Sequence, residues 1–247
     1  MPKAPLGAFL ARNPFGDGLT DGLFYREKMR AIHRIAPARL NPSDPGRILD
    51  LGGGRSGLAG LLYPDAEVVT LDLDAGLAGQ GPPGAAGRFV CGDACRLPFA
   101  DGAFDAVALF DLLEHVPDDA TAAAEALRVT RPGGVVLLST PTAAWRYPYF
   151  DLMRPVCPPE SELMAQWGHV RRGYAARDLA RLFGRPPEVK ASFINPLTAF
   201  AHDVAFSRLG RRKRKLLHAL AAPVTALGYL CHHPALPGTE TAAAWRR

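Results

Sequence analysis

The chain has 247 residues, of which 48% are hydrophobic, and it carries a formal net charge of +5. This composition excludes a disordered polyelectrolyte and suits one α/β domain with insertions rather than two full domains. No stretch has the length and apolarity of a membrane span, the first residues lack the apolar run of a secretory signal, and the four cysteines lack C-x-x-C spacing. We therefore expect a cytoplasmic protein with reduced thiols.

The first 142 residues alternate between helix-like and strand-like segments. Residues 1 to about 19 look irregular, a helical pattern begins at Thr20, and a Pro- and Gly-rich break at 41–46 ends it. An alanine-rich segment at 118–130 predicts a second helix. Strands alternating with helices indicate a parallel sheet covered on both faces. Apolar runs typical of such strands lie at 48–51, 67–72, 88–91, 104–110 and 134–139.

After Thr140 the pattern is less regular, and residues 141–173 look like a loop. The segment 197–230 is helical in character, with interruptions at a basic run and at Pro223. The remaining elements that we expect are a helix at 174–183, a sixth strand at 188–194 and a short final strand at 240–245.

A glycine-rich turn directly follows the first predicted strand. The run Ile48–Gly57 reads I-L-D-L-G-G-G-R-S-G, and the next predicted strand ends at Asp72. Glycines let the backbone approach a nucleoside, and an acid at that position binds ribose hydroxyls. The G-x-G-x-x-G spacing alone fits a nicotinamide dinucleotide equally well. Asp50, directly before the glycines, instead favours a ligand with a cationic group.

Further blocks resolve this ambiguity by resemblance to a known family. After I-L-D-L-G-G-G come V-T-L-D-L-D, G-D-A-x-x-L-P-F-x-D-G-x-F-D, L-L-E-H-V and R-P-G-G-V-V-L-L-S. This succession resembles the class I S-adenosylmethionine-dependent methyltransferases, in particular the group with the G-D-A…L-P-F stretch. The resemblance is strong over 47–142 and loose over 169–194. It implies an α/β fold with a Rossmann-like, mostly parallel seven-stranded sheet, helices on both faces and an extra helical insertion near the C-terminus.

The same resemblance implies a single domain with three regions along the chain. Residues 1–46 form an N-terminal cap helix region, 47–142 a cofactor-binding core, and 143–247 an acceptor-side region with a helical and basic insertion at 197–237.

The implied cofactor is S-adenosylmethionine. Asp50 and the glycines of the turn bind its methionine end, and Asp72 accepts hydrogen bonds from both ribose hydroxyls. Asp93 accepts from the adenine amino group, although a helix-capping role is the alternative. The full set of expected cofactor-binding residues is Asp50, Gly52, Gly53, Gly54, Asp72, Leu73, Asp93, Ala94, Phe110 and Asp111.

Candidate catalytic and acceptor-binding residues follow the cofactor blocks. Methyl transfer is an in-line displacement, so positioning supplies most of the acceleration, and a base helps only if the acceptor loses a proton. His115 and His169 are the candidate bases, with a structural loop residue as the alternative for each. No metal site is predicted, and His202, His218, His232 and His233 are interpreted as local polar residues. The candidate acceptor-binding residues are Trp145, Tyr149, Arg171 and Tyr174.

The basic charge is concentrated in one place. The segment Arg208–Lys215 contains six Lys or Arg residues and no acid, and a moderately apolar helical stretch follows it. This pattern suits an anionic membrane surface. The alternative is a solvated basic face, and nucleic acid is not expected as a partner.

The sequence thus predicts methyl transfer from S-adenosylmethionine to an oxygen, or less favourably a nitrogen, of a small-molecule, sugar or lipid-linked acceptor. Two other functions are carried as alternatives. One is a nicotinamide-dependent oxidoreductase. The other is a non-catalytic, methyltransferase-like module that binds at the inner face of the membrane.

Overall fold

The computed structural model describes residues 19–36, 46–54, 56–79 and 88–247. The predicted irregular start (1–18) and most of the predicted break at 41–46 lie outside these residues. The strands are β1 (Arg47–Leu51), β2 (Glu67–Asp72), β3 (Arg88–Cys91), β4 (Phe104–Phe110), β5 (Thr130–Pro141), β6 (Val189–Phe193) and β7 (Glu240–Arg246). The helices are α1 (Leu19–Ile35), α2 (Leu58–Leu62), α3 (Asp119–Val129), α4 (Glu160–Trp167), α5 (Ala176–Leu182), α6 (Pro196–Ala205) and α7 (Arg211–Cys231).

The strands form one seven-stranded sheet in the order β3-β2-β1-β4-β5-β7-β6. The first five strands pair in parallel, and β7 runs antiparallel to both β5 and β6. The predicted fold class is therefore confirmed. In a sheet of this kind ligands bind beyond the carboxyl ends of the parallel strands, and the first residue of the antiparallel β7, Glu240, lies at that same edge, opposite Pro141.

Both faces of the sheet are buried, as the apolar strand sequences require. Alternate residues enter different cores because side chains alternate across a strand. Ile48 belongs to the core that also contains residues of α1 and α2, whereas Leu49 belongs to the core formed with α3 and α5.

Helix α1 packs against β6, β7 and α6. Its buried Met29, Ile32 and Ile35 are the apolar face that the sequence predicts. The N-terminal helix thereby covers the sheet close to its carboxyl edge.

The C-terminal half differs from the prediction in three details. The segment 141–173 contains a 3-10 turn (Asp151–Val156) and α4, so it is not simply a loop. The helical segment is interrupted at 206–210, which includes Arg208 of the basic run, but the rest of the run, from Arg211, belongs to the first turn of α7. The helix also continues through Pro223, which is exposed.

None of the helices in the described part of the chain is long and apolar enough to span a bilayer.

Candidate active site

The glycine turn after β1 forms one wall of the site. Gly52 has φ +66°, in the left-handed region, and its N–H donates to the Leu71 carbonyl at 2.8 Å. Gly53 has no space for a side chain, because a Cβ atom there would lie 2.5 Å from Oδ2 of Asp50 and 2.9 Å from Cγ2 of Thr70. The turn therefore depends on glycine for both conformation and close packing.

Asp50 lies beneath this turn and is almost fully buried. Its carboxylate accepts a hydrogen bond from the Ala59 N–H in the first turn of α2, while Oδ2 has no partner among the described residues. Burial, together with the negative charge of Asp72, raises the pKa of Asp50 to about 7. A buried acceptor without a donor, next to a turn that no side chain can fill, fits a ligand that brings a cationic donor.

The carboxyl ends of β2 and β3 continue the same edge of the sheet. Asp72 ends β2, and its Oδ1 accepts from the Asp74 N–H at 3.1 Å. Leu73 beside it is 74% exposed, an apolar surface open to a ligand. Asp93 follows β3 and accepts from the Cys95 N–H at 2.8 Å within a turn; the described residues have no helix there for the alternative capping role. Ala94 packs its methyl group into the core.

A cavity of about 660 Å³ opens between the glycine turn, the end of β4 and the helices α1, α6 and α7. Phe110 and Asp111 line it where β4 ends, next to Gly52, Gly53 and Gly54. Asp111 has a left-handed backbone (φ +51°), and its carboxylate accepts from the Ser139 hydroxyl at 2.9 Å. Aromatic side chains dominate the apolar part of the lining: Phe24, Tyr25, Phe110, Trp145, Trp167, Phe206 and Tyr229.

The structure brings His115 and His169 together inside this cavity. Their ring centroids are 4.7 Å apart and the rings are nearly perpendicular. Nδ1 of His115 donates to the Gly168 carbonyl at 3.2 Å. Burial lowers the pKa of both rings, and the neighbouring His115 lowers that of His169 further, to about 4. Both histidines are therefore neutral near pH 7 and present lone pairs to the cavity.

Buried charges lie close to the histidine pair. Lys28 of α1 is fully buried and forms an ion pair with Asp111. Two buried carboxylates, Glu114 after β4 and Glu240 at the start of β7, interact electrostatically with the same lysine. Burial lowers the pKa of Lys28 and raises those of Glu114 and Glu240, while the attraction between the opposite charges opposes each shift. A charged network of this kind holds α1, β4 and β7 in one arrangement.

Three residues expected at the acceptor lie elsewhere, and the prediction for them is corrected. The Arg171 guanidinium donates to the carbonyls of Leu113, Val116 and Pro117, so it clamps the loop after β4. The hydroxyl of the buried Tyr174 contacts the Leu113 carbonyl of the same loop at 2.9 Å and the Asp119 carboxylate at 2.7 Å. Tyr149 packs at the edge of a core and does not line the cavity. Of the predicted acceptor-binding residues, Trp145 alone lines it.

Sequence reasoning missed several cavity residues. The sequence could have shown that Lys28 points into the core. It lies four residues after Phe24 and four before Ile32, in the middle of an apolar helix face. His202 was interpreted as a local polar residue, yet it lines the cavity. Glu240 gave no signal, since nothing near it in sequence indicates that it is buried.

Residues 49–138 match the family model described as a methyltransferase domain. Over 93% of this chain, the fold superimposes on an S-adenosylmethionine-dependent methyltransferase from Mesorhizobium loti, with a TM-score of 0.58, 15% identity and 100% of that chain covered. Residues 49–138 of this protein therefore resemble a methyltransferase domain, and the chain has the fold of an S-adenosylmethionine-dependent methyltransferase, for which S-adenosylmethionine is the cofactor.

Among curated proteins, the chain resembles several methyltransferases in its central part. It is 43% identical to the demethylmenaquinone methyltransferase of Beutenbergia cavernae over 104 residues. This aligned segment makes up 40% of this chain and 42% of that protein. It is 36% identical over 125 residues to the protein of the same name from Mycobacterium tuberculosis, which is 49% of this chain and 50% of that protein. The chain thus spans half or less of these curated relatives. The fold also resembles the [4+2]-cyclase SpnF at 18% identity, with a TM-score of 0.56, 90% of this chain and 81% of that chain covered.

The buried ion network generates a prediction for Lys28→Met. Raised carboxyl pKa values mean that the folded state binds protons more tightly than the unfolded state, so stability falls as pH rises above the ordinary carboxyl range. Removing the lysine leaves Asp111, Glu114 and Glu240 without their buried counter-charge. We expect the variant's loss of melting temperature to be larger at about pH 8.5 than at about pH 5.5. The control Lys190→Met, at an exposed position, should change little at either pH. A loss independent of pH would contradict the network.

The glycine turn generates a second prediction. Gly53→Ala places a methyl group against the buried Asp50 carboxylate and Thr70, which we expect to cost about 1–3 kcal/mol of stability. Gly210→Ala is the matched control, because a Cβ atom there meets nothing within 4 Å. Thermal unfolding of both variants measures the difference. Equal melting temperatures for the two variants would show that the turn has room for a side chain.

Proposed function

We propose that this protein transfers a methyl group from S-adenosylmethionine to an apolar, ring-containing small-molecule acceptor. The observation that carries the proposal is the cavity itself. One continuous space of about 660 Å³ is bounded by the glycine turn on one side and by aromatic side chains and a neutral histidine pair on the other. Such a space can hold a flat apolar molecule against a cofactor site.

The residues at the edge of the sheet fit the cofactor. Asp50 would provide the carboxylate for the methionine ammonium through its unpartnered oxygen, and the backbone of Gly52–Gly54 would lie against that end. Asp72 would bind the ribose hydroxyls, and the exposed Leu73 would cover the adenine ring near Asp93 and Ala94. When bound, S-adenosylmethionine supplies an electrophilic methyl group on a sulfonium.

Acceptor binding is assigned to the aromatic part of the cavity. Trp145, Trp167 and Phe206 surround the histidine pair, with Trp167 and His169 ring centroids 5.5 Å apart. Flat apolar surfaces of this kind suit an aromatic or quinone-like ring. The demethylmenaquinone methyltransferases among the curated relatives support the same class of acceptor. An oxygen of the ring is the proposed methylated atom, with nitrogen as the second choice.

His115 and His169 are proposed to act on the acceptor's proton. Since both are neutral near pH 7, each can accept a hydrogen bond from an acceptor hydroxyl and so orient its oxygen. The Gly168 carbonyl fixes the proton of His115 on Nδ1 and leaves Nε2 free for this role.

Calorimetric titration tests the cofactor assignment. S-adenosylmethionine and its demethylated product should bind, and reduced nicotinamide dinucleotide should not. Asp72→Ala should weaken binding of both S-adenosyl compounds by about 1–3 kcal/mol because charged hydrogen bonds are lost. Asp151→Ala, an exposed carboxylate paired with Arg154 at 3.0 Å, is the control. Binding of the dinucleotide alone would establish the oxidoreductase alternative, and an unchanged affinity in Asp72→Ala would refute the ribose assignment.

We further propose that the protein works at an anionic membrane surface and takes a lipid-phase acceptor. Helix α7 supports this because one of its faces is apolar and open to solvent. The side chains of that face are 51–79% exposed and cover an arc of roughly 120° at about 100° per residue. They are Leu216, Leu220, Val224, Leu227 and Leu230. Thr225, Gly228 and Tyr229, on the opposite face, are buried against the protein.

Charge complementarity points to anionic lipid. The basic run Arg208–Lys215 includes the first turn of α7, and Arg211, Arg212, Lys213 and Lys215 are exposed. Each basic residue near an anionic surface contributes about 1 kcal/mol. Because Arg214 and Tyr229 of the same helix line the cavity, attachment through the outer face would bring the cavity close to the lipid phase.

Vesicle sedimentation tests the membrane proposal. The protein should bind phosphatidylglycerol-containing vesicles and bind pure phosphatidylcholine vesicles only weakly. Added salt should weaken the binding to phosphatidylglycerol. Leu220→Glu should reduce binding at least about tenfold, since burial of a leucine is worth about 1.5–3 kcal/mol. Leu152→Glu is the control, at an 84% exposed leucine outside α7. Equal loss in both variants, or no preference for anionic vesicles, would reject this surface.

A further inference from the structure

We infer that Glu114, His115 and His169 form a binding site for one divalent first-row transition-metal ion inside the cavity. A donor atom from each of the three side chains lies within 4.8 Å of the others, and all three residues line the cavity. The inference deepens the proposed function, on which it rests for its account of the acceptor. Two imidazole nitrogens with one carboxylate oxygen suit ions such as Zn²⁺, Fe²⁺ or Co²⁺.

The donor atoms are available and aimed into one place. Oε1 of Glu114 is buried without a partner among the described residues, and so is Nδ1 of His169. His115 contributes the third donor of the cluster, and its Nδ1 lies 3.2 Å from the Gly168 carbonyl. Unpartnered buried acceptors are costly, and a shared cation satisfies those of Glu114 and His169 at once.

Neighbouring groups hold the ligands in position. The Thr140 hydroxyl donates to the other Glu114 oxygen at 3.0 Å, and the carbonyl of Gly168 orients the ring of His115. The Val170 N–H donates to the Glu114 carbonyl at 2.9 Å, which ties the segment carrying His169 to the loop carrying the other two ligands. Second contacts of this kind are typical of metal ligands in proteins.

The cavity lining also contains more carboxyl groups than basic side chains. Four carboxylates line it, whereas Lys28 and Arg214 are the lysine and arginine among its described lining residues. A divalent ion would be attracted to the ionised members of this set. The four carboxylates are those of Glu27, Asp111, Glu114 and Glu240.

The site narrows the class of acceptor. Ligands about 2.0–2.2 Å from one ion lie roughly 3–4 Å apart, so small side-chain rotations bring these three donors together. Three protein ligands leave the remaining coordination positions directed to the cavity. With the ion bound, the ion instead of the histidine lone pairs would hold the acceptor, which would then be a molecule that offers a hydroxyl or carbonyl oxygen as a ligand, close to the atom that receives the methyl group.

Metal titration of the chelator-treated full-length protein tests the inference. Co²⁺ is followed by its visible d–d absorption and Zn²⁺ by calorimetry. We expect one ion per chain, at least tenfold weaker binding in Glu114→Gln and in His169→Ala, and unchanged binding in His233→Ala, which removes an exposed histidine outside the cavity. Circular dichroism checks the folding of each variant. If one ligand variant does not fold, the other decides.

The outcomes separate this inference from the proposed function. S-adenosylhomocysteine is titrated into the same samples, and His169→Ala should retain its binding. Normal nucleoside binding without a metal ion would overturn the metal site and leave the methyltransferase proposal standing. Equal loss of Co²⁺ binding in His233→Ala would identify surface histidines as the binding groups and would also overturn it. Absence of nucleoside binding to wild-type protein would refute the proposed function, whatever the metal result.

Discussion

A lysine with no access to water joins three distant parts of this chain. Lys28 comes from the N-terminal helix, Asp111 and Glu114 follow β4, and Glu240 begins β7. Removing these charges from water costs several kcal/mol for each ion, and the cost is offset only while the opposite charges stay together. The network therefore favours a single arrangement of α1 on the sheet, and that arrangement closes one side of the cavity.

The parallel sheet determines which part of the molecule meets the cofactor. The carboxyl ends of β1, β2 and β3 present Asp50, Asp72 and Asp93 along one edge, and the glycine turn opens that edge to a nucleoside. The cavity begins at the same turn but extends away from β2 and β3, toward α1, α6 and α7. In the proposed function, cofactor and acceptor would occupy separate surfaces that meet at the glycines and at the end of β4, which is the geometry that an in-line transfer needs.

The helices outside the common core carry what is particular to this protein. Helix α7 turns one face to the cavity and shows a second, apolar face to solvent, beneath a cluster of positive charge. The fold alone does not determine the reaction. The structure named a [4+2]-cyclase has the same fold, although that name describes a different activity. The proposed reaction depends on the histidine pair, Glu114 and the aromatic lining, most of which come from loops and helices beyond the sheet.

Much of the fold could be predicted from the sequence, because strand and helix patterns are local. The seven strands lie within a few residues of their predicted positions, and the acids at the ends of β1 and β2 were recognisable from the glycines and apolar runs beside them. His115 and His169, each a candidate base in the sequence, both line the cavity, and their role on the acceptor stays a proposal.

The tertiary structure decided which polar residues face the cavity. Arg171 and Tyr174 were predicted to bind the acceptor. Instead they donate hydrogen bonds to backbone carbonyls in the loop after β4. Lys28 and Glu240 are far apart in sequence and became partners only when α1 packed over β7. A local pattern reports which face of an element is apolar, whereas the partner of a buried charge depends on which distant segment packs against it. The sequence alone therefore determined the sheet and its nucleoside edge, and long-range packing determined the charged interior of the cavity.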